Sequence, residues 1–176
     1  VTPDSFSDGG RYYRDQGLGL RRETHPAILR ARKLIEEGAD ILDIGGESTG
    51  PGSAFVSEKE EGSRVIPIIE KIASYAKKRG VEISVDTYKS AVAAKAIRAG
   101  ATIVNYVTAL RGDSKMAKLI AKNPNVKIVL MYSKDNTPRT TRKAKKYKDV
   151  MAVVKNFLNE RVDYALKQGV KPEQII

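Results

Sequence analysis

The first stretch of the chain whose side chains could take part in chemistry is residues 1–10. It holds two carboxylates, Asp4 and Asp8, and one aromatic ring, Phe6, between a proline and a Gly-Gly pair. Proline fixes one φ angle and the glycines supply backbone freedom, so this composition predicts a loop. Such a loop is typical of a flap that closes over an active site. A frayed N-terminus of turn composition is the alternative.

A second group of residues follows the apolar runs that have the length of β-strands. The members are Glu47, Ser48 and Thr49 after the first run, Asp86 and Thr87 after the second, Asn105 after the third, and Met131 with Tyr132 after the fourth. Parallel strands bring their carboxyl ends to one edge of a sheet, and ligands of α/β proteins bind at that edge. We therefore expect these residues to share one rim.

The chemistry of this rim suits a flat nitrogen heterocycle that carries phosphate. The Asp86 carboxylate can accept hydrogen bonds from ring N–H or amino groups, and the Asn105 carboxamide can both donate and accept. Thr49, in a glycine-rich loop, suits a phosphate oxygen, with backbone N–H groups assisting. The plainer alternatives are a helix N-cap at residues 86–87 and a turn residue at Asn105.

Hydrophobic periodicity and capping signals predict the elements that position these residues. Helices are expected at 24–38, 57–80, 89–98, 114–122 and 148–167, and strands at 39–44, 82–85, 101–104 and 126–131, with another strand beginning at 173–176. Thr24 is the predicted N-cap of the first helix, and Pro67 is expected to kink or break the second. The alternation implies an α/β fold with parallel strands, either a doubly wound sheet or part of a (β/α)₈ barrel.

The composition narrows the classes of function. The 176 residues carry a formal net charge of +11 and include one His and no Cys. Disulfides and thiolate metal sites are thereby excluded, and a zinc enzyme is disfavoured. No apolar run is long enough to cross a membrane. The basic run 139–148 is interpreted as a solvated loop, because no stacking aromatic residue precedes Tyr147. His25 is interpreted as a structural or surface residue, because nothing near it in the sequence would use it as a base.

Several of these segments occur in the same order in one known family. Residues 1–10 (VTPDSFSDGG) resemble the signature loop of the dihydropteroate synthases, and residues 44–52 (IGGESTGPG) resemble that family's second signature. Residues 83–89, 101–105, 130–131, 137–140 and 147–150 continue the match. The resemblance implies a (β/α)₈ barrel. This chain would be a single incomplete domain over 1–176, from the loop after strand 1 to the start of strand 6.

The resemblance also implies a transferase of folate biosynthesis. Such an enzyme moves a dihydropterin methylene group from its pyrophosphate ester to the amine of para-aminobenzoate. By resemblance Asp86 and Asn105 hold the pterin ring, Met131 lines its pocket, Thr49 contacts the pyrophosphate, Ser48 is a further substrate-binding residue, and Asp4, Phe6 and Asp8 belong to a mobile loop that closes over the reacting carbon. Asp86, Asp4 and Asp8 are the catalytic candidates.

The implied cofactor is Mg²⁺, but the Asn that contacts the metal would lie just before Val1, so no metal ligand is expected within this chain. The expected partners are the two substrates, without nucleic acid or membrane, in a cytoplasmic protein that could form a homodimer. Two other interpretations stay open. One is a pterin-binding domain of a methyltransferase-related barrel that lacks the condensation activity, and the other is a basic nucleic-acid-binding domain.

Three residues depart from the pattern of the family inside its motifs. Gly50 stands where the family usually has an Arg that orders the second loop. Tyr106 replaces the usual Asp after Asn105, and Tyr132 replaces the usual His after Met131. We therefore expect the pterin pocket to be kept, and closure of the second loop or handling of aminobenzoate to be weakened.

Overall fold

The computed structural model describes residues 25–135 and 137–176, in which parallel strands alternate with helices. The helices are α1 (Pro26–Glu36), α2 (Glu58–Lys77), α3 (Ser90–Ala99), α4 (Ser114–Ala121) and α5 (Val150–Lys167), and the strands are β1 (Ile41–Gly45), β2 (Glu82–Asp86), β3 (Ile103–Tyr106) and β4 (Lys127–Leu130). All four strands pair in parallel, in the order β1-β2-β3-β4. This sequential order has no reversal, which favours part of a barrel over a doubly wound sheet.

The two faces of the sheet have different environments. Leu42 and Ile44 of β1 and Ile83 and Val85 of β2 are buried against the helices. The alternate residues of β1 are more accessible, and Asp43 among them is exposed. Because successive side chains of a strand point to opposite faces, this second face is the one that a barrel would enclose.

Helix α2 contributes the largest share of the buried apolar residues, which are Val65, Ile68, Ile69, Ile72 and Ala76. Ser57 is its N-cap, and the Ser57 hydroxyl accepts from the N–H of Glu60 at 3.2 Å. The helix continues through Pro67, so the predicted alternative of a break there is wrong. Proline removes one backbone donor, and the packing of this apolar face outweighs that loss.

Two other predicted elements need correction. His25, not Thr24, is the N-cap of α1, and its Nδ1 accepts from the N–H of Ala27 at 3.2 Å. His25 is buried, which confirms its structural role. The valines at the start of α5 were expected to pack inward like Ala165 near its end, but Val150 and Val153 are exposed, whereas Ala165 is fully buried. Within the described residues, the C-terminal part of α5 carries its buried positions.

Of the strand predicted at residues 173–176, the structure shows a single β-bridge at Ile175. Ile175 forms a parallel bridge with Ile128, and the N–H of Ile176 donates to the Ile128 carbonyl at 2.9 Å. Gln174 lies instead in a 3₁₀ turn (Pro172–Gln174), where its buried amide donates to three carbonyls around the end of α4. In the described parts of the chain, no helix is long and apolar enough to cross a membrane.

Candidate active site

The acid and amide predicted to bind a heterocycle are neighbours at the carboxyl end of the sheet. Asp86 ends β2 and is in register with Asn105 of β3. Gly45 of β1 is in register with Asp86 on the other side, and a Cβ at Gly45 would lie 3.4 Å from that of Asp86. A glycine at this position therefore leaves the acid room on the open face of the sheet. Asn105 lies within a strand, so the alternative of a turn residue is wrong.

Asp43 also belongs to this cluster, although it was not predicted from the sequence. The amide Nδ2 of Asn105 donates to Asp43 Oδ2 at 3.0 Å. Asp43 lies on the same face of β1 as Gly45, because the two are separated by one residue. A carboxylate in the middle of an otherwise apolar strand was the signal that could have identified it. The bond fixes the orientation of the Asn105 amide beside Asp86.

Asp86 has unusual acid–base properties for a carboxyl group. Burial, and then the negative charges of Asp43 and Glu61, raise the pKa of Asp86 from 3.8 to about 7. Each influence disfavours the charged form. A carboxyl group with this pKa exists in both protonation states near neutral pH, and can therefore hold or release a proton there.

The alternative of a helix N-cap at residues 86–87 does not hold. The N-cap of α3 is Lys89, and the Thr87 hydroxyl accepts from the N–H of Lys89 at 3.2 Å. Thr87 thus shapes the turn between β2 and α3, one residue after Asp86. Asp86 lies in β2 before that turn and is not the cap.

A buried charge network lies behind the glycine-rich loop (residues 45–53) that follows β1. Its members are Glu47, Glu61, Lys89 and Arg139. Lys89 pairs with both carboxylates, and the side chains of Glu47 and Glu61 are 3% and 1% exposed. Glu47 also accepts from the Tyr88 hydroxyl at 3.0 Å. The direct contact between opposite charges compensates the loss of hydration that burial imposes on each of them.

The glycine-rich loop passes close to α2. A Cβ at Gly46 would lie 2.9 Å from side-chain carbons of both Glu61 and Val65, so any side chain at this position would force the loop away from the helix. The Gly46 carbonyl accepts from Arg64 at 2.8 Å. This close approach places the next residues of the loop, Ser48 and Thr49, beyond the carboxyl end of β1.

Ser48 and Thr49 are both in this loop, but their contacts differ. The Ser48 hydroxyl accepts from the N–H of Gly50 at 3.3 Å, so it shapes the loop itself. The Thr49 carbonyl accepts from the backbone N–H and the hydroxyl of Thr140, at 3.0 and 3.1 Å. Their predicted roles in substrate binding stay predictions.

Met131 follows β4 directly and is 39% exposed, so its side chain is accessible at the same edge of the sheet. Asp4, Phe6 and Asp8 lie outside the described residues. Among residues 25–135 and 137–176, no group of three or more His, Asp or Glu side chains could hold a metal ion.

Two of the three departures from the family pattern have a structural explanation. Tyr106 is fully buried on the helix side of the sheet, and its hydroxyl accepts from the N–H of Asp113 at 2.8 Å. It therefore faces away from Asn105. Tyr132 packs edge-to-face on Phe157 with 5.1 Å between ring centres, and its hydroxyl lies 3.0 Å from that of Tyr147. Both tyrosines support the framework of the rim.

Taken together, the described residues define a class of protein. It is a β/α domain of sequential parallel strands, with an acid–amide pair and a glycine-rich loop at the carboxyl edge, which is where barrels of this class bind ligands. The chain belongs to the family described as pterin binding enzyme, whose model matches residues 1–176.

Individual relatives agree with this assignment. The chain is 46% identical over 176 residues to the dihydropteroate synthase of Bacillus subtilis, covering 100% of this chain and 54% of the relative. It is 42% identical over 175 residues to that of Clostridium beijerinckii, covering 99% of this chain and 57% of the relative. The chain thus spans about half the length of the curated relatives it matches. The resemblance seen in the motifs is confirmed.

The solved structures extend the comparison to the fold. The dihydropteroate synthase of Yersinia pestis, solved with a sulfonamide drug complex, superposes with a TM-score of 0.85 at 32% identity, covering 99% of this chain and 58% of that one. The enzyme of Clostridium difficile, solved in the presence of pteroic acid, gives 0.76 at 39% identity, covering 99% and 59%. These neighbours are (β/α)₈ barrels, so the predicted fold class is confirmed.

Proposed function

We propose that the whole encoded protein is a dihydropteroate synthase, a transferase of folate biosynthesis. It would condense 6-hydroxymethyl-7,8-dihydropterin pyrophosphate with para-aminobenzoate to give dihydropteroate and pyrophosphate. The observation that carries the proposal is the pair of Asp86 and Asn105, in register on the open face of the sheet. The family membership and the relatives of that name support it.

The chemistry of the site fits a dissociative displacement. The bond between the pterin methylene carbon and the pyrophosphate oxygen breaks, and positive charge develops on the methylene group. The Asp86 carboxylate accepts from N–H groups of the ring and stabilises that charge, while Asn105, held by Asp43 at 3.0 Å, fixes the orientation of the ring. The aminobenzoate nitrogen then attacks the methylene carbon and loses a proton. No covalent intermediate with the protein is needed.

The two substrates find support in the ligands of relatives. The Clostridium difficile enzyme was solved in the presence of pteroic acid, and the Xanthomonas albilineans enzyme, 39% identical with a TM-score of 0.76, with 4-aminobenzoic acid. Thr49 is proposed to contact the pyrophosphate, Met131 and Ser48 to line the site, and Asp4, Phe6 and Asp8 to close over the methylene carbon.

The rest of the proposal comes from the resemblance alone. It comprises a requirement for Mg²⁺, a cytoplasmic location and the possibility of a homodimer. No step above is routed through the metal. Removal of divalent cations with a chelator, followed by addition of Mg²⁺, tests the requirement through the rate of pyrophosphate release.

The deciding experiment mixes the whole encoded protein with both substrates and Mg²⁺, and measures the release of pyrophosphate and the formation of dihydropteroate. We expect equal amounts of both products, and loss of turnover in Asp86→Asn. Asp163→Asn, which removes an exposed carboxylate on α5, is the matched control. Calorimetric binding of the pterin without consumption of aminobenzoate would favour the methyltransferase-related alternative. Absence of binding to either substrate would refute the proposal.

A further inference from the structure

The glycine-rich loop is held in place by a cation from another part of the chain. Position 50, where the family resemblance leads one to expect an ordering Arg, is Gly50 in this protein. The guanidinium of Arg139, from the loop after β4, reaches into the glycine-rich loop instead. The two residues are far apart in sequence, so the contact joins two separate loops at the carboxyl edge of the sheet.

Arg139 makes five hydrogen bonds to residues 47–54. Its Nη1 donates to the carbonyl of Ser48 at 3.3 Å and to the carbonyl and hydroxyl of Ser53 at 2.7 and 2.6 Å. Its Nη2 donates to the carbonyl of Ala54 at 2.9 Å and to Glu47 Oε1 at 2.5 Å. Only a planar fork of donors can engage so many oxygens at once.

The next residue extends the contact to the position predicted to meet phosphate. Thr140 donates through both its backbone N–H and its hydroxyl to the carbonyl of Thr49. Arg139 and Thr140 together therefore fix the backbone on both sides of Gly50. Without such support, Gly50 would give this segment more backbone conformational freedom than a residue with a side chain would at the same position.

The charge of Arg139 also has a defined partner. Glu47 is buried, and its carboxylate is shared between Arg139 and Lys89, which in turn pairs with Glu61. Two cations thus face two carboxylates. Arg139 is the member nearest to solvent, with a side chain 29% exposed, so a substitution at this position disturbs the loop more than the core.

We propose that Arg139 is a positioning residue for the substrate's pyrophosphate, and that it replaces, from the opposite loop, the ordering cation absent at position 50. This proposal rests on the proposed function, because Thr49 is the residue through which Arg139 would act. The pterin ring is held by Asp86 and Asn105 on the strands. Loss of Arg139 should therefore weaken the binding of the pyrophosphate group and leave the binding of the pterin ring unchanged.

A pair of ligands separates these two effects. In calorimetry on the whole encoded protein, Arg139→Ala is expected to bind the dihydropterin pyrophosphate about tenfold more weakly than the unmodified protein. Its affinity for 6-hydroxymethyl-7,8-dihydropterin, which lacks the pyrophosphate, should not change. Arg142→Ala, which removes an exposed cation of the same loop, is the control and should match the unmodified protein with both ligands.

Equal weakening with both ligands would overturn the proposal, and so would no weakening with either. Gly50→Arg in the Arg139→Ala background should restore the affinity for the pyrophosphate ester. Among the residues that the structure describes, a Cβ at Gly50 would meet only the Ser48 hydroxyl, at 3.4 Å, so these residues leave room for the start of a side chain there.

A second measurement needs no ligand and so stays informative if the proposed function fails. The backbone N–H groups of Gly50, Ser53 and Val56 donate within the loop segment, to Ser48 Oγ, the Gly50 carbonyl and Glu47 Oε1. In Arg139→Ala, hydrogen exchange at these amides should be at least about tenfold faster. Arg139→Lys keeps the charge beside Glu47 without the fork, and should exchange faster while remaining folded. Unchanged exchange in both variants would refute the positioning role.

Discussion

The raised pKa of Asp86 makes a quantitative prediction about stability. Its ordinary value of 3.8 and folded value of about 7 mean that the folded protein binds this proton more tightly than the unfolded chain. The stabilisation from the proton is fully present below the unfolded pKa and is lost as the pH rises through the folded pKa. At about 1.4 kcal/mol for each pKa unit, ionised Asp86 costs the folded state up to about 4 kcal/mol.

Most of that cost develops over a range of pH that can be measured. Between about pH 5 and about pH 8, this single carboxyl group should lower the free energy of unfolding by about 2 to 3 kcal/mol. Asp86→Asn removes the titration and keeps the size of the side chain. The unfolding free energy of Asp86→Asn minus that of the unmodified protein should therefore increase by about 2 to 3 kcal/mol from about pH 5 to about pH 8.

Urea unfolding of both proteins across this range gives the difference directly, and the titrations of groups that do not interact with Asp86 cancel in the comparison. Asp163→Asn, which removes an exposed carboxylate on α5, is the control for the loss of one negative charge. A constant difference for Asp86→Asn would refute the reasoning. It would mean that water reaches the carboxyl group well enough to remove the effect of burial and of its acidic neighbours.

Three further predictions concern the same framework. Binding of the dihydropterin, measured by calorimetry, should weaken about tenfold from about pH 8 to about pH 6, because protonation of Asp86 removes the charged acceptor; affinity independent of pH would contradict this. Lys89→Met should lower the free energy of unfolding by about 3 to 5 kcal/mol in urea, because it leaves two buried carboxylates without their shared cation; a neutral effect would mean that one of them is protonated. Tyr106→Phe should cost about 1 kcal/mol, because the N–H of Asp113 loses its acceptor, and turnover should not change.

The order of elements could be predicted from the sequence because each boundary has a local cause. Gly100 ends α3 with a φ of 119°, where other residues are strained, and Asp113 caps α4 as the first residue before it. The errors fall where distant contacts decide. Pro67 was expected to disturb α2, but the neighbours that bury Ile68 and Ile69 keep the helix continuous. Periodicity describes one element, whereas burial depends on all of them.

The difference between local signals and contacts with distant residues also explains which residues of the site could be predicted from the sequence. Asp86 is the last residue of β2 and Asn105 the last but one of β3, so the rule for parallel sheets was enough to bring them together. Asp43 precedes the end of its strand by two residues, and its place in the cluster follows only from the register and from its bond to Asn105. The position of a residue in its strand therefore predicts whether it lies at the carboxyl edge of the sheet. The pairing between strands determines which charges lie near Asp86 and so affects its pKa.

Arg139 is a loop residue whose contacts could not be predicted from the sequence. In the sequence it belongs to a basic run, and for its neighbours at 140–146 and 148 the interpretation as an exposed loop agrees with the structure. Arg139 differs because a carboxylate, a hydroxyl and three carbonyls from residues 47–54 lie within hydrogen-bonding distance of its guanidinium. Gly50 alone indicated a weakened loop. The contacts of Arg139 indicate instead that the ordering charge sits on the opposite side of that loop. Under the proposal made above, the departure at position 50 is a change in where the cation comes from, and the exchange and binding experiments on Arg139 test it against a loss of loop order.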